Sequence, residues 1–286
     1  MSRSPLIPPD ELARELERDP SGLLVCDCSF DLAAPQAGRQ AYLRGHVPGA
    51  AYVNLDEDLS GPRTGRNGRH PLPSIQAFAA RMAALGAGNA THVVAYDASG
   101  GMYAARLWWM LRWAGHAEAA VLDGGIRAWR DAGLPLATGA EPARAAGDFA
   151  VRPSLAASLD YEGLRARMAA GGGVVIDARA ADRFRGENET LDPVGGHIPG
   201  ARNRPCQGNL AADGRFKPAA ELRAEFEAVL AGAPAADSVA QCGSGVTACH
   251  NLLAMEAAGL TGATLYPGSW SEWSAQPGAP IATGAA

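Results

Sequence analysis

The chain has 286 residues, 47% of them hydrophobic and 19% charged, which predicts about two domains with packed cores and excludes a disordered chain. The formal net charge of −5 gives no electrostatic case for a nucleic-acid partner. No apolar run reaches about 18 residues, and the first residues lack the apolar core of a secretory signal, so we expect no membrane contact.

Short β-branched runs alternate with helical periods along the first half of the chain. The run L-L-V-C-D ends at Asp27, and the run H-V-V-A-Y ends at Tyr96. Between them, an apolar face at helical spacing begins at Ile75. Strands that alternate with helices predict a parallel sheet covered by helices on both faces, and therefore an α/β fold.

The second half of the chain repeats the first half block by block. R-G-H-V-P-G-A-A around His46 returns as G-G-H-I-P-G-A-R around His197, and the run to Asp27 returns as V-V-I-D to Asp177. The segment H-V-V-A-Y-D-A-S-G-G returns as D-S-V-A-Q-C-G-S-G-V, and L-D-G-G-I-R-A-W returns as L-Y-P-G-S-W-S-E-W. Matched blocks in the same order predict two domains of one fold.

A segment rich in Ala, Gly and Pro separates the two halves and has no helical or strand period. It has the composition of a linker. We predict an N-terminal domain over residues 1–138, a linker over 139–153 and a C-terminal domain over 154–286. Each domain is expected to contain a parallel sheet flanked by helices.

The stretch S-V-A-Q-C-G-S-G-V-T-A holds the strongest candidate for chemistry. A short apolar run ends at Cys242, glycines and hydroxyl residues follow, and a helical pattern begins near Val246. A strand that turns into a helix through a glycine loop aims free backbone N–H groups at one point, where the helix dipole favours negative charge. A cysteine there is expected to be a reactive thiolate, so we predict that Cys242 is the nucleophile.

The repeat supplies an internal comparison for this loop. Asp97 stands in the first half where Cys242 stands in the second, while Ser99 and Gly100 match Ser244 and Gly245. The loop is retained in the first half and the nucleophile is not. Only the second half is therefore expected to carry out thiol chemistry.

The five cysteines are odd in number and form neither a disulfide framework nor the paired C-x-x-C motifs of a zinc site. They predict a reducing, cytoplasmic setting and no metal. Cys249 follows Cys242 closely enough for a switch disulfide, with a buried helical thiol as the favoured alternative.

The loop C-G-S-G-V-T, the duplicated G-H-[VI]-P-G-A turn and the closing G-S-W-S-E-W resemble tandem-domain rhodaneses over nearly the whole chain. The loop is most similar to that of the 3-mercaptopyruvate sulfurtransferase branch. The resemblance implies two rhodanese-like domains, a catalytically silent first domain and a second-domain cysteine that accepts sulfur as a persulfide. It also implies a small anionic donor, a cyanide or thiol acceptor such as a thioredoxin-like protein, and no cofactor.

The chemistry expected at the loop is a two-step transfer through a covalent intermediate. The Cys242 thiolate attacks the outer sulfur of the donor, and sulfite or pyruvate leaves. The loop N–H groups, with the Ser244 and Thr247 hydroxyls, are expected to surround the terminal sulfur of the persulfide. The loop residues are Gly243, Ser244, Gly245, Val246, Thr247 and Ala248.

An anionic donor calls for a cation in the site. Arg183, in A-D-R-F-R-G-E, matches the family arginine that binds the anionic end of the donor, and Arg185 is the alternative. The mercaptopyruvate enzymes usually carry a second arginine before the G-H-I-P-G turn. Here that stretch reads E-N-E-T-L-D-P-V, without an arginine. The loop favours 3-mercaptopyruvate, and the missing arginine leaves thiosulfate open.

Four further residues are candidates for the substrate site. The resemblance permits His46 to approach Ser244, although its return as His197 favours a role in the fold. Tyr103, Trp270 and Trp273 are candidates for the wall of the pocket. Aromatic core packing is equally expected for Trp273 and for Trp129, its counterpart in the repeat.

Three other functions use a similar fold or residue. A cysteine phosphatase needs C-x5-R, because the arginine binds phosphate in a bidentate manner, and Ala248 stands at that position. A thiol-disulfide oxidoreductase needs a C-x-x-C motif, which is absent. A non-catalytic sulfur carrier or binding module would lose the cysteine, as the first half has done.

Overall fold

Two parallel sheets, one in each of two units, form the framework of residues 4–285, the part of the chain that the computed structural model describes. The first unit extends to Ser60 and adds Pro73–Leu155 and Ala211–Phe216. The second unit contains Gly61–Leu72, Ala156–Leu210 and the chain from Lys217 onwards. Helices flank each sheet, so the predicted α/β fold with one parallel sheet in each domain is confirmed.

The sheet of the first unit has the strand order β1-β5-β4-β2-β3. Its strands are β1 (Leu6–Ile7), β2 (Leu23–Asp27), β3 (Ala51–Tyr52), β4 (His92–Tyr96) and β5 (Ala119–Leu122). Its helices are α1 (Pro9–Arg18), α2 (Ala37–Arg44), α3 (Ile75–Ala84), α4 (Ala104–Trp113) and α5 (Gly125–Asp131). The central strands β2 and β4 are buried at every position, which explains why their sequences read as continuous apolar runs.

The sheet of the second unit has the strand order β7-β6-β8-β9. Its strands are β6 (Val174–Asp177), β7 (Arg202–Asn203), β8 (Ser238–Gln241) and β9 (Thr264–Leu265). Its helices are α6 (Tyr161–Ala169), α7 (Ala181–Arg185), α8 (Ala219–Leu230), α9 (Thr247–Ala257) and α10 (Ser269–Trp273), with 3₁₀ turns at Cys206–Asn209 and Ala235–Asp237. Asp177 pairs with Gln241 in register, so Cys242 follows the carboxyl end of an inner strand.

Local sequence explains several helix ends. The Ser74 hydroxyl accepts the N–H of Ala77 and begins α3, and the Asp160 carboxylate accepts the N–H of Gly163 at 2.8 Å and begins α6. Helix α8 contains strong helix formers and ends where Ala231 takes a left-handed conformation. None of the helices in residues 4–285 is long and apolar enough to cross a bilayer.

The unit boundaries differ from the predicted domain boundaries in three ways. The predicted linker packs on the first unit, because Arg144 Nη1 donates to the carbonyl oxygen of Leu23 at 2.7 Å and Phe149 is buried. The segment Gly61–Leu72 lies in the first half of the sequence but belongs to the second unit, and Ala211–Phe216 lies in the second half but belongs to the first unit. Neither segment has a helical or strand period, so nothing in their patterns predicted where they would pack.

Candidate active site

Helix α10 holds the loop that contains Cys242. The N–H of Cys242 donates to the Ser269 hydroxyl at 3.0 Å, and the N–H of Trp270 donates to the carbonyl oxygen of Cys242 at 3.0 Å. The N–H of Ser271 donates to the carbonyl oxygen of Gly243 at 2.9 Å. Ser269 adopts a φ of 53°, a left-handed conformation that costs a non-glycine residue about 1 kcal/mol or more. The closing G-S-W-S-E-W motif therefore serves to fix the backbone around Cys242.

Gly245 shapes the turn from β8 into α9. Its φ is 73°, and a Cβ atom there would lie 2.3 Å from the carbonyl oxygen of Pro267. Only glycine combines this conformation with such a close approach of backbone. Helix α9 then begins at Thr247, close to the start at Val246 predicted from the sequence.

The matching loop of the first unit contains a built-in anion. The Asp97 carboxylate follows β4, is fully buried and accepts four backbone N–H groups. The donors are Ser99 at 2.7 Å, Gly101 at 2.9 Å, Tyr103 at 2.8 Å and Ala104 at 2.9 Å. The strand–loop–helix junction of this fold therefore binds a negative charge at the position of residue 97.

Three of the four equivalent donors in the Cys242 loop have no acceptor in the described chain. In the repeat, Ser244, Val246 and Ala248 match Ser99, Gly101 and Tyr103. Cys249 matches Ala104, and its N–H donates to the carbonyl oxygen of Val246 at 3.1 Å. Within residues 4–285, the backbone N–H groups of Ser244, Val246 and Ala248 form no hydrogen bond. The loop thus presents N–H groups to an anion that Cys242 would carry, as the Asp97 loop presents them to a carboxylate.

His70 is the residue that approaches Ser244. Its Nδ1 atom lies 2.7 Å from the Ser244 hydroxyl, and both side chains are buried. His70 belongs to the segment Gly61–Leu72 of the second unit. The pair fixes the Ser244 hydroxyl, two residues beyond the nucleophile.

Two arginine side chains lie beside Gly243. A Cβ atom built on Gly243 would lie 3.1 Å from Arg69 Nη2 and 3.6 Å from Arg183 Nη1. Arg69 Nη1 bonds the Asp192 carboxylate at 2.7 Å, and Arg183 Nη2 bonds Asp192 at 3.4 Å. Arg183, the predicted donor-binding arginine, and Arg69 thus both lie beside the residue that follows Cys242.

Two buried carboxylates hold these arginines in place. Glu189 receives hydrogen bonds from Arg183 Nη2 at 2.9 Å and from the N–H of Leu191 at 2.9 Å. Burial opposes its ionisation, but these hydrogen bonds keep the pKa of Glu189 below its usual value. Burial raises the pKa of Asp192, although Arg69 and Arg183 act in the opposite direction. Arg179 Nη1 also lies 3.6 Å from Glu189, so the cluster contains three arginines and two carboxylates at close range.

Trp270 supports the site from the interior, which corrects its proposed position in the pocket wall. The side chain is completely buried, and Nε1 donates to the carbonyl oxygen of Val194 at 2.9 Å. The guanidinium of Arg179 lies 4.7 Å from the ring centroid, and Arg179 in turn bonds Asp177 at 2.6 Å. Neither face of the buried indole is exposed to a sulfur donor.

Three other predicted site residues have different surroundings from those expected. Arg185 forms a surface ion pair with Glu187 at 2.7 Å, so Arg183 and not its alternative faces Gly243. His46 uses both ring nitrogens inside the first unit, with the Tyr42 carbonyl oxygen at 2.8 Å and Glu141 at 3.2 Å.

These two contacts favour a structural role for His46, as the equivalent histidine in the second half, His197, suggests. His197 Nδ1 likewise bonds the carbonyl oxygen of Phe184 at 2.9 Å. Tyr103 lies in the first unit, where its N–H serves Asp97 and its ring packs edge-on against Phe30.

All five cysteines are free and buried. The thiol of Cys249 directs its hydrogen at the carbonyl oxygen of Gly245 at 3.3 Å, as expected of a buried thiol in the first turn of α9. Burial raises the pKa of Cys206 to about 12. Among the described residues, no group of three or more His, Cys, Asp or Glu side chains could hold a metal ion.

Arg69 and His70 are the site residues that the sequence analysis missed. Both lie in N-G-R-H-P-L, in the half of the chain without the nucleophile. In the repeat, N-G-R-H returns as D-G-R-F, so Arg69 matches Arg215 and His70 matches Phe216. The histidine without a counterpart is the asymmetry that could have identified this segment.

The comparisons with known proteins agree with this architecture. The model of the rhodanese-like domain matches twice, over residues 8–132 and 160–276. The protein of Pseudomonas aeruginosa named "Probable 3-mercaptopyruvate sulfurtransferase" is 46% identical over 286 residues, which cover 99% of this chain and 100% of the relative. The thiosulfate sulfurtransferase of Bos taurus is 38% identical, over 88% of this chain and 85% of its own.

Solved structures give the same result. The 3-mercaptopyruvate sulfurtransferase from Leishmania major has a TM-score of 0.84 at 32% identity and matches 94% of this chain and 74% of its own. The crystal structure of SseA from Escherichia coli, described as a 3-mercaptopyruvate sulfotransferase, has a TM-score of 0.80 at 31% identity, over 94% and 99% of the two chains. With a rhodanese-like domain in each half, the chain belongs to the rhodanese family.

Proposed function

We propose that this protein is a sulfurtransferase that moves a sulfane sulfur from 3-mercaptopyruvate or thiosulfate to a thiophilic acceptor through a persulfide on Cys242. The observation that carries the proposal is the match between Asp97 and Cys242. A carboxylate oxygen of aspartate and the terminal sulfur of a cysteine persulfide both lie two bonds beyond Cβ. The four N–H groups around Asp97 therefore mark where the loop would hold the charged sulfur of a Cys242 persulfide.

The first half-reaction charges Cys242. Its thiolate attacks the sulfur of the donor, a new S–S bond forms, and the bond from that sulfur to the rest of the donor breaks. With thiosulfate, the bond electrons leave on sulfite. With 3-mercaptopyruvate, they pass to the carbon as an enolate, which takes up the proton of the donor thiol and becomes pyruvate. Cys242 is left with an anionic terminal sulfur in either case.

Ser244 and His70 are the groups suited to the developing charge of a keto-acid donor. The His70 ring fixes the Ser244 hydroxyl at 2.7 Å, so the side chain is already ordered before the donor arrives. A fixed hydroxyl can bond the enolate oxygen more strongly than the ground-state carbonyl oxygen. Arg183 beside Gly243 would receive the carboxylate of the same donor.

The second half-reaction discharges the persulfide. A cyanide ion or a thiolate attacks the terminal sulfur, forms a bond to it and releases the Cys242 thiolate. A thioredoxin-like protein is one thiol acceptor of this chemistry. The five free cysteines suit a reducing compartment, and we place the enzyme in the cytoplasm on that ground.

Two alternatives differ in the donor or in catalysis itself. A thiosulfate-preferring rhodanese would use the same cysteine and loop with a different order of donor rates. A non-catalytic sulfur carrier would accept sulfur without turning over. The choice between catalysis and carriage is tested by thiocyanate formation from either donor and cyanide.

The matched variants for that assay are Cys242→Ser and Cys249→Ser. The Cys242→Ser protein is expected to form no thiocyanate above background with either donor. The Cys249→Ser protein, which loses a buried thiol from the first turn of α9, is expected to retain turnover. Turnover by Cys242→Ser would overturn the proposal, and a wild-type protein that accepts sulfur once without turnover would establish the carrier.

A further inference from the structure

Building on the proposed function, we propose that Cys206 is a resolving cysteine, whose thiol attacks a persulfide on Cys242, forms a disulfide with it and releases the carried sulfur as hydrosulfide. The protein thus has a second outlet for its sulfur, in which one of its own thiols takes the place of an external acceptor. Cys206 is the catalytic residue of this step.

The sheet of the second unit brings the two cysteines to the same end. Strand β6 lies between β7 and β8, and Asp177 at its end pairs with both Asn203 and Gln241. Cys242 follows Gln241 directly, and Cys206 begins the 3₁₀ turn that follows Asn203. Because the three strands are parallel and end in register, both cysteines lie just beyond their carboxyl ends.

Ala178 connects the two segments that carry the cysteines. Its N–H donates to the carbonyl oxygen of Gln241 at 2.9 Å, and its carbonyl oxygen accepts the N–H of Cys206 at 3.1 Å. This one residue is therefore a single hydrogen bond away from Cys206 on one side and from the residue before Cys242 on the other.

Buried side chains hold the turn of Cys206 against helix α9. Asn209, at the end of the turn, donates from Nδ2 to Asn251 Oδ1 at 2.7 Å, and the same nitrogen lies 3.0 Å from His250 Nδ1. Asn251 Nδ2 in turn donates to the carbonyl oxygen of Arg204 at 2.9 Å. The turn is thus fixed on the first turns of the helix that follows the nucleophile loop.

The Cys206 thiol lies beside a group expected to hold the persulfide. It forms a hydrogen bond with the side chain of Thr247, the first residue of α9, and contacts Gln207 Oε1 at 3.6 Å. Burial raises the pKa of Cys206 to about 12, and the nearby Cys242 acts in the same direction. Cys206 is therefore a protonated thiol next to a hydroxyl that we expect at the terminal sulfur.

The step balances without an external oxidant. The Cys206 thiol gives its proton to the anionic outer sulfur of the persulfide, and the Cys206 sulfur attacks Sγ of Cys242. An S–S bond forms between the two cysteines, the bond from Sγ to the outer sulfur breaks, and its electron pair leaves on HS⁻. The Cys206 sulfur is oxidised and the outer sulfur is reduced. An external thiol reductant then cleaves the disulfide and restores both thiols.

The surroundings of Cys206 favour a disulfide over a transfer of the outer sulfur to Cys206. A persulfide on Cys206 would place its negative charge where burial already disfavours a thiolate, away from the N–H groups of the Cys242 loop. A disulfide is neutral, and the charge departs with hydrosulfide. Because the Cys206 thiol holds its proton at neutral pH, this step is slower than loading by a donor, so freshly loaded protein still carries its sulfur.

The test follows the sulfur of loaded protein that is kept without oxygen and without an acceptor. Wild-type protein is loaded with thiosulfate, freed of small molecules and shown by its mass to carry sulfur on Cys242. Samples withdrawn into zinc acetate over several hours are then assayed for hydrosulfide. About one equivalent should be released, and peptide mass spectrometry without reductant should find the peptides of Cys206 and Cys242 joined by a disulfide.

Substitutions of single cysteines provide the comparison. Cys206→Ala should accept sulfur and keep it, with hydrosulfide release about tenfold slower or less, because the attacking thiol is no longer held beside the persulfide. Cys206→Ser keeps the size of the side chain and serves if the alanine variant does not fold. Cys249→Ser removes a different buried thiol from α9 and should release hydrosulfide at the wild-type rate.

The outcomes separate this step from the proposed function. Loaded wild-type protein that releases no hydrosulfide, or releases it as fast as Cys206→Ala does, would overturn the role of Cys206 and leave the sulfurtransferase intact. Sulfur found on the peptide of Cys206 would also overturn it, in favour of a transfer between the two thiols. A wild-type protein whose Cys242 never accepts sulfur would remove the proposed function, and this step with it.

Discussion

An oxygen of the Asp97 carboxylate lies 2.9 Å from the backbone nitrogen of Ala104, the first residue of α4. The carboxylate therefore occupies the N-terminal end of a helix, where free N–H groups and the helix dipole both favour an anion. Cys242 holds the equivalent place before α9, in a loop where three of the four matching N–H groups have no acceptor among residues 4–285. The two halves thus show one loop with a carboxylate built in and the same loop with a cysteine in its place.

The first prediction concerns the contribution of the Asp97 loop to the stability of the protein. Asp97→Ala removes four hydrogen bonds to a buried carboxylate and leaves four N–H groups without that acceptor. We expect a loss of about 3–5 kcal/mol in the free energy of unfolding, measured by urea denaturation. The exposed Asp131→Ala serves as control and should cost under about 0.5 kcal/mol. A loss below about 1 kcal/mol in Asp97→Ala would contradict this account of the loop.

The second prediction compares two serines that occupy matching positions in the two halves of the repeat. Ser244→Ala removes the hydroxyl that His70 fixes, and we expect kcat with 3-mercaptopyruvate to fall about 10²-fold, as for loss of one donor to a developing oxyanion. Ser99→Ala, at the matched position of the first unit, should leave kcat unchanged. Steady-state kinetics with both donors provide the readout. Equal effects of the two substitutions would show that Ser244 acts through loop structure alone.

The third prediction contrasts two glycines of the Cys242 loop. Gly243→Ala brings a methyl group against the ends of two flexible arginine side chains, so we expect a several-fold rise in donor KM with stability nearly unchanged. Gly245→Ala forces a methyl group onto the Pro267 carbonyl oxygen at a positive φ, so it should destabilise the protein by more than about 2 kcal/mol. Urea denaturation and donor kinetics on both variants check the contrast, and a similar loss of stability in each would refute it.

The fourth prediction is a pH dependence of donor choice. Burial raises the pKa of Asp192, so its charge is present above that pKa and is lost as the pH falls through it, at a higher pH than for an exposed aspartate. Arg69, Arg183 and Glu189 face Asp192, and hydrogen bonds lower the pKa of Glu189 while burial raises that of Asp192. A dianion is repelled by the Asp192 carboxylate twice as strongly as a monoanion at the same place, so loss of this charge favours thiosulfate.

The ratio of kcat/KM for thiosulfate to that for 3-mercaptopyruvate should therefore rise as the pH falls. Taking the ratio of the two donors cancels every effect of pH that both donors share. In Asp192→Asn the ratio should already be high and should not change with pH. A wild-type ratio that stays constant down to the pH at which the protein unfolds would disprove the role of Asp192.

Sequence reasoning predicted the features that depend on local pattern and on the internal repeat. The buried strand before Cys242 and the start of α9 follow from an apolar run, a glycine turn and helical spacing. The repeat aligned Asp97 with Cys242 and so predicted that the first half lacks the nucleophile. These inferences need no knowledge of where distant segments pack.

The rest depended on long-range packing. Arg69 and His70 lie in a segment without periodicity, and only the folded chain shows that it joins the second unit. Trp270 was misplaced for the same reason, because an aromatic residue beside a loop can face either the solvent or the core. Its indole N–H donates to the carbonyl oxygen of Val194, and that hydrogen bond holds the ring in the core.

Mass spectrometry of the loaded protein tests the central claim most directly. Wild-type protein treated with either donor in the absence of an acceptor, then freed of small molecules, should gain the mass of one sulfur atom on the peptide containing Cys242. Cyanide should remove that mass and yield one equivalent of thiocyanate, and Cys242→Ser should gain nothing. Sulfur bound by Cys242→Ser, or a wild-type protein that turns over without ever carrying sulfur on Cys242, would contradict the account.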